Sequence, residues 1–394
     1  MRCGRWVAAL VAGCLGVLPV APAAAAAVPC GPRVTDPLAG PPWGLTRLRP
    51  DLAWPLSTGS GVTVAVVDSG VSPDHPTLAG KVRPGKDFVE SGGDGGCDEN
   101  GHGTLIAGII AGREATSAGF RFHGVAPDAT IVPVRVLRDQ RRSTEGDLSD
   151  RIATAIRWAV DVGGADVVNL SLTTPPSPRL EEAVGYALGR RVVLTAAAGN
   201  QGDSDVDQRG YPAAYPGVIA VAGVNEKDEH VGSSVEGDYV DVAAPGVDVA
   251  GPATSGGGYL FTADGGTSFA TAYVSGVAAL IRAYDPELSP AQVARRITET
   301  ADHAADLWNP QVGHGVVNPA RAVGSLRPAA PAAAKGSGGG RVAAPVPPDD
   351  PQRWVRAAAG WVALAGVCVA LLVLVAVPVV RLGRRRGWRS GALP

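Results

Sequence analysis

Between Val62 and Thr300, short β-branched runs alternate with helix-periodic segments, and this alternation constrains the fold more than any other feature of the chain. The runs are Val62–Val67, Thr130–Leu137, Asp166–Leu172, Val192–Ala197 and Val218–Val224. Helical patterns fall at His102–Ala111, Leu148–Val162, Leu180–Leu188, Ser268–Tyr284 and Ala291–Thr300. In Leu148–Val162 the apolar residues Ile152, Ile156, Ala159 and Val160 share one face. Strands that alternate with helices pair in parallel and are covered on both faces, so the expected class is α/β, a mainly parallel sheet between helices. Such sheets carry their sites at the carboxyl ends of the strands.

Both ends of the 394-residue chain carry membrane signals. Residues 1–27 combine Arg2 and Arg5, an apolar run from Trp6 to Val20 and an alanine-rich stretch, the pattern of a secretory signal peptide cleaved near Ala25 or Ala27. Val11–Cys14 offers a lipoprotein cleavage site as the alternative. Ala357–Val380 is 24 residues without a charge, long enough to span a bilayer as one C-terminal transmembrane helix. Five arginines follow it within 381–394 and only Arg353 and Arg356 closely precede it, which puts the basic tail in the cytoplasm and the bulk of the chain outside. A net charge of -2 gives no reason to expect nucleic acid.

Cys3 and Cys14 leave with the signal peptide and Cys368 lies in the span, so Cys30 and Cys97 remain in an oxidising compartment. One disulfide is expected, with two free thiols as the alternative. Residues 28–61 read as a Pro-rich arm with Trp43 and Trp54 as apolar anchors. They are too few to fold alone, so a separate inhibitory prodomain is not expected. Residues 326–356 are a Pro-, Ala- and Gly-rich linker, which leaves 62–325 as one globular domain.

Four motifs carry chemistry. Asp68 ends an apolar strand and is followed by Ser69-Gly70; alone it could be a turn aspartate. His102 lies between Gly101 and Gly103 at the start of an apolar helix, where it could simply cap or pack. Asn200 ends a strand after Gly199 and could bend the chain or aim its amide into a cleft. Ser268 follows Gly266-Thr267 at the first turn of a long apolar helix, where the hydroxyl could cap the helix or act as a nucleophile if a base reaches it.

In chain order these are Asp68, His102, Asn200 and Ser268, and the order Asp…His…Ser is that of subtilisin. The segments Asp68–Val71 with His75-Pro76, His102–Thr104 and Gly266–Ala270 resemble the aspartate, histidine and serine motifs of the subtilisin family. Tyr211–Ala213, Ala243–Gly246 and Gly313–Asn318 also resemble family segments. The resemblance implies a subtilisin-like three-layer fold and a serine endopeptidase in which Ser268 attacks, His102 carries the proton and Asp68 orients it. Asn200 would supply the oxyanion hole, and Ser171, Leu172 and Gly199 would line the substrate path, with Val168–Leu172 pairing as an added strand. The family usually has glycine where this chain has Thr173, which bears on pocket size.

The whole layout resembles mycosins, membrane-anchored subtilisin-like proteases of type VII secretion systems. Cys30 and Cys97 fit that family's arm-to-loop disulfide. The resemblance implies a cell-membrane protein, single-pass, with its catalytic domain extracellular and a secreted protein as substrate. The type VII secretion membrane complex is the implied partner. Two alternatives stand beside this: a structural component of that complex with dispensable peptidase activity, and a general cell-surface subtilase. No cofactor or metal is expected; Asp94–Glu99 is the one acidic loop that offers itself to calcium. Arg138, Arg141 and Arg142 form a basic cluster open to an acidic partner.

Overall fold

The computed structural model describes residues 30–31, 33–90, 92–138, 147–200, 209–263, 265–303, 307–325, 376–385 and 387. The chain forms two units, Met1–Ala329 and Ala330–Pro394. In the second unit, residues 376–385 are helical. The expected signal peptide 1–27, the linker 326–356, residues 357–375 of the expected span, and Arg141 and Arg142 lie outside the described residues. Among the described residues no helix is long and apolar enough to cross a membrane.

In the first unit the arm carries α1 (Trp43–Leu48), then come β1 (Thr63–Asp68), β2 (Lys86–Asp87), α2 (His102–Ala111), β3 (Ala115–Ser117) and β4 (Phe120–Phe122). Next are β5 (Thr130–Arg135), α3 (Leu148–Asp161), β6 (Val167–Leu170), α4 (Pro178–Gly189), β7 (Val193–Ala197) and β8 (Ile219–Val224). The unit closes with β9 (Val242–Pro245), β10 (Val249–Pro252), β11 (Tyr259–Thr262), α5 (Thr267–Tyr284), α6 (Pro290–Thr300) and α7 (Pro319–Gly324).

Seven strands make one sheet in the order β2-β5-β1-β6-β7-β8-β9, with every pair parallel. Strand β1 lies between β5 and β6: β2 and then β5 are added on one side of it, and β6 to β9 step outward on the other. The carboxyl ends of β1 and β6 therefore flank a topological switch point, where open α/β sheets place their crevice.

Period-two alternation sorts the strand residues between two cores. Val64, Val66, Val167 and Val193 pack with α2 and α5. Ala65, Val67, Val168 and Leu194 pack with α3 and α4 on the opposite face. Both faces are buried, which is why the strands read as continuous apolar runs. The arm is laid over the first core. Leu38, Leu45 and Leu48 are buried in it. The Trp43 indole N–H donates to the Val247 carbonyl at 2.8 Å and that of Trp54 to the Val125 carbonyl at 3.0 Å. A Cys30–Cys97 disulfide, with Cα atoms 5.1 Å apart, ties the start of the arm to the loop before α2.

Candidate active site

Residues of even number in β1 face α2 and α5, and Asp68 continues the row of Val64 and Val66. The alternation thus delivers a fully buried carboxylate to the α2 side of the sheet edge. Its Oδ1 accepts from His102 Nδ1 at 2.7 Å and from the Ser69 backbone N–H at 2.7 Å. With Nδ1 donating to a carboxylate, the neutral ring leaves Nε2 as its basic nitrogen.

His102 is the first residue of α2, and the next position shows why it comes so close. A Cβ at Gly103 would collide with the Gly70 carbonyl oxygen and crowd the Asp68 side chain, so only glycine lets this helix end reach the strand end.

A second carboxylate, absent from the sequence reading of the site, organises the same loop. Asp98 is completely buried. Its Oδ1 accepts from the Ser69 hydroxyl at 2.9 Å and the Gly101 N–H at 3.0 Å, and its Oδ2 from the Thr104 N–H at 2.8 Å and hydroxyl at 2.6 Å. Burial of the imidazole opposes its charged form, but the Asp68 charge and hydrogen bond together with the Asp98 charge outweigh this and raise the His102 pKa. Burial, offset in part by the Thr104 and Ser69 bonds, raises that of Asp98.

Ser268 is the second residue of α5. Its backbone N–H has no hydrogen-bond partner among the described residues. The Asn200 amide oxygen accepts from the Thr267 N–H at 3.0 Å, which fixes the nitrogen as the opposite end of that amide. Ser268 and Ser171 clasp each other: the Ser268 hydroxyl donates to the Ser171 carbonyl at 3.0 Å, and the Ser171 hydroxyl to the Ser268 carbonyl at 2.8 Å. The Ser268 hydroxyl makes no hydrogen bond to His102 here; the ring of Phe269 instead packs against the imidazole, with centroids 5.5 Å apart.

Beneath this clasp runs a polar row that apolar periodicity conceals. Thr267, Thr271 and Ser275 recur at i, i+4 and i+8 on α5 and are all buried. Ser275 donates to Asn169 Oδ1 at 2.8 Å and contacts the Thr195 hydroxyl at 2.6 Å, while Asn169 Nδ2 donates to the Ser171 hydroxyl at 2.9 Å. Asn169 and Thr195 occupy the α5-facing parity of β6 and β7, so their side chains meet the helix row. A single buried Asn or Ser gives no signal in sequence; the matched spacings on helix and strands were the one available clue.

The remaining expected residues fall as follows. Leu172 turns its side chain into the α3/α4 core. Gly199 adopts φ +116°, donates to the Thr267 hydroxyl at 3.3 Å and accepts from Val235 N–H at 2.9 Å. His75 is buried and bonds the Thr77 hydroxyl, as local packing requires. The Asp94–Glu99 loop spends its carboxylates on the protein: Asp94 on Gly96 N–H, Asp98 as above and Glu99 on the buried Arg135. Among the described residues no group of three or more His, Cys, Asp or Glu could hold a metal ion.

The Subtilase family model matches residues 59–315. The chain belongs to the subtilase family. It is a subtilisin-like serine endopeptidase related to mycosins. This subtilase is 39% identical to subtilisin E of Bacillus subtilis over 280 residues, 70% of each chain. It is 36% identical to mycosin-4 of Mycobacterium tuberculosis over 379 residues, 86% of this chain and 82% of that one. Among solved structures it superposes on MycP1 from Mycobacterium smegmatis with a TM-score of 0.67 and 31% identity, covering 77% of this chain and 90% of that one. A chain in the structure of an intact ESX-5 inner membrane complex matches with a TM-score of 0.65 and 31% identity, over 90% of this chain and 96% of that one.

Proposed function

We propose that this subtilase cuts peptide bonds with Ser268 as nucleophile, His102 as general base and then acid, and Asp68 as the group that orients the imidazole and stabilises its cation. The observation that carries the reading is the 2.7 Å Asp68–His102 bond at the mouth of the helix that bears Ser268. Substrate would lie extended along Ser171 and Leu172. A substrate N–H donated to the Ser171 carbonyl competes with the Ser268 hydroxyl for that oxygen. Rotation about its Cα–Cβ bond then turns the hydroxyl toward Nε2; such contacts commonly tighten only with substrate bound. Attack forms the Ser268–acyl bond through a tetrahedral intermediate whose oxyanion receives the Ser268 backbone N–H and the Asn200 amide. His102 then protonates the leaving amine, and water repeats the sequence to release the acid.

The reading extends to place. The family likeness, the apolar stretch 357–380 and its arginine flank support a protease domain held outside the cell membrane by a single span, acting on a secreted protein of a type VII secretion system. The match to a chain within an ESX-5 inner membrane complex favours a second role, as a stabilising part of such a complex. A serine-directed fluorophosphonate is expected to label purified 28–325 protein, and Ser268→Ala to abolish labelling and cleavage. In cells, a size shift of a secreted protein between wild type and Ser268→Ala identifies the substrate. Secretion that persists in Ser268→Ala but fails on deletion supports the stabilising role; cleavage that survives Ser268→Ala rejects the nucleophile.

A further inference from the structure

Ser69 follows Asp68 directly and is buried. Its hydroxyl oxygen lies 2.9 Å from Asp98 Oδ1, 3.1 Å from Asn100 Oδ1 and 3.2 Å from Asp68 Oδ1, and it accepts from the Gly103 N–H at 3.1 Å. A serine hydroxyl has one proton to donate, so at any moment it serves one of these three acceptors. Ionised carboxylates outcompete a neutral amide oxygen for it. One hydroxyl is thus shared between the carboxylate that holds His102 and the carboxylate that fixes the loop before α2.

The two carboxylates are unequally supplied with other donors. Asp98 has three: the Gly101 N–H, the Thr104 N–H and the Thr104 hydroxyl. Asp68 has two, His102 Nδ1 and the Ser69 N–H, both on Oδ1. Its Oδ2 is buried with no hydrogen-bond partner among the described residues. A further donor therefore changes Asp68 more than Asp98. A donor that stabilises the Asp68 charge also weakens its pull on a protonated imidazole, which lowers the basicity of His102. The other charged and ring groups close to this set are turned elsewhere. Arg135, in register with Asp68, bonds Asp87 and Glu99. His75, on the loop after β1, bonds Thr77. Among the described residues α5 meets the imidazole with Phe269, and β11 presents Leu260 to Gly101.

We propose that the Ser69 hydroxyl is a positioning group that turns between Asp98 and Asp68, so that the charge on Asp98 decides how strongly Asp68 holds the imidazole. The proton stays on its oxygen; only the hydroxyl rotates. While Asp98 is ionised it keeps the hydroxyl, and Asp68 acts on His102 with its full charge. Once Asp98 is neutral, the hydroxyl passes to Asp68. This is a route from Asp98 to the ring in addition to the field of its charge. Its bearing on catalysis rests on His102 as the general base.

The test is a double-mutant cycle on the full chain, with Ser69→Ala and Asp98→Asn made singly and together. The His102 titration is followed by NMR, its resonance identified by its loss in His102→Ala, and the acid limb of the fluorophosphonate labelling rate is recorded in parallel. In Asp98→Asn the hydroxyl is released to Asp68, so adding Ser69→Ala is expected to raise the His102 midpoint by roughly 0.5 pH unit or more. In wild type the hydroxyl serves Asp98, and the same change is expected to move the midpoint clearly less. Ser69→Thr keeps the hydroxyl and, beside Asp98→Asn, is expected to keep the midpoint of Asp98→Asn alone. Should Ser69→Ala not fold, Ser69→Cys, a weak donor, takes its place. Equal shifts in the two backgrounds, or a midpoint unmoved by Ser69→Ala beside Asp98→Asn, overturn the inference and leave Ser69 as a support for the Gly103 N–H. A midpoint that moves as expected while the acid limb does not follow rejects His102 as the base and leaves the inference standing.

Discussion

At the residue scale, the proton chemistry we propose turns on the two buried carboxylates around one imidazole. Asp68 holds the ring directly, and Asp98 acts on it through space while fixing the loop from Ser69 to Thr104. A raised His102 pKa keeps the ring protonated, and so unable to serve as the proposed base, to higher pH. Removing one of the charges that raises it lets the neutral base appear at lower pH. Asp98→Asn is therefore expected to move the acid limb of the kcat/KM profile toward lower pH. It also leaves donors of Ser69, Gly101 or Thr104 unpaired, at about 1–3 kcal/mol of stability. A limb that stays put or moves up, in protein shown to be folded, contradicts the electrostatic role.

At the scale of elements, α5 is pinned to the sheet by polar contacts as well as by apolar packing. Ser275 bridges Asn169 and Thr195, and Asn169 continues to Ser171, which clasps Ser268. Ser275→Ala leaves Asn169 Oδ1 buried without that donor and is expected to cost about 1–3 kcal/mol in urea unfolding. It should lower kcat more than it raises KM, because the clasp holds the proposed nucleophile rather than the substrate; a fall confined to stability would reduce the row to packing. A different titration belongs to the β8–β9 pair. Asp241, whose Oδ2 accepts from the Ala220 N–H at 2.9 Å, is pushed up to about 6 by burial, against the pull of that bond. The folded state then keeps a proton that the unfolded state has lost, so stability falls as pH rises from about 4 to about 6, by at most about 3 kcal/mol. Asp241→Asn should flatten this part of the profile, and identical pH slopes in the two proteins would refute the assignment.

At the scale of the whole molecule, the arm is joined to the domain covalently and non-covalently. Arg47 donates to Asp228 and Asp302, the two tryptophans bond backbone carbonyls, and Cys30 is bridged to Cys97 across 67 positions. Chain entropy for a loop of that length gives about 4 kcal/mol, so the double variant Cys30→Ala/Cys97→Ala is expected to unfold at clearly lower temperature. The other anchors keep the arm in place, so unfolding should remain one transition. A shift corresponding to less than about 1 kcal/mol would show that the bridge adds little to those anchors.

The α/β class, the main strands and helices, and the places of Asp68, His102 and Ser268 at a strand end and two helix starts could be read from the chain alone. A strand buried on both faces must be apolar throughout, a helix must repeat near 3.6, and a nucleophile motif needs glycine around it. The short β2, the hairpins β3–β4 and β10–β11 and strand β9 were not legible, because two to four residues leave no period to read. Asp98, Asn169, Thr195 and Ser275 were equally silent. A buried polar residue is defined by partners from distant elements, and only the parity of β1, β6 and β7 against the rows of α5 brings those partners together.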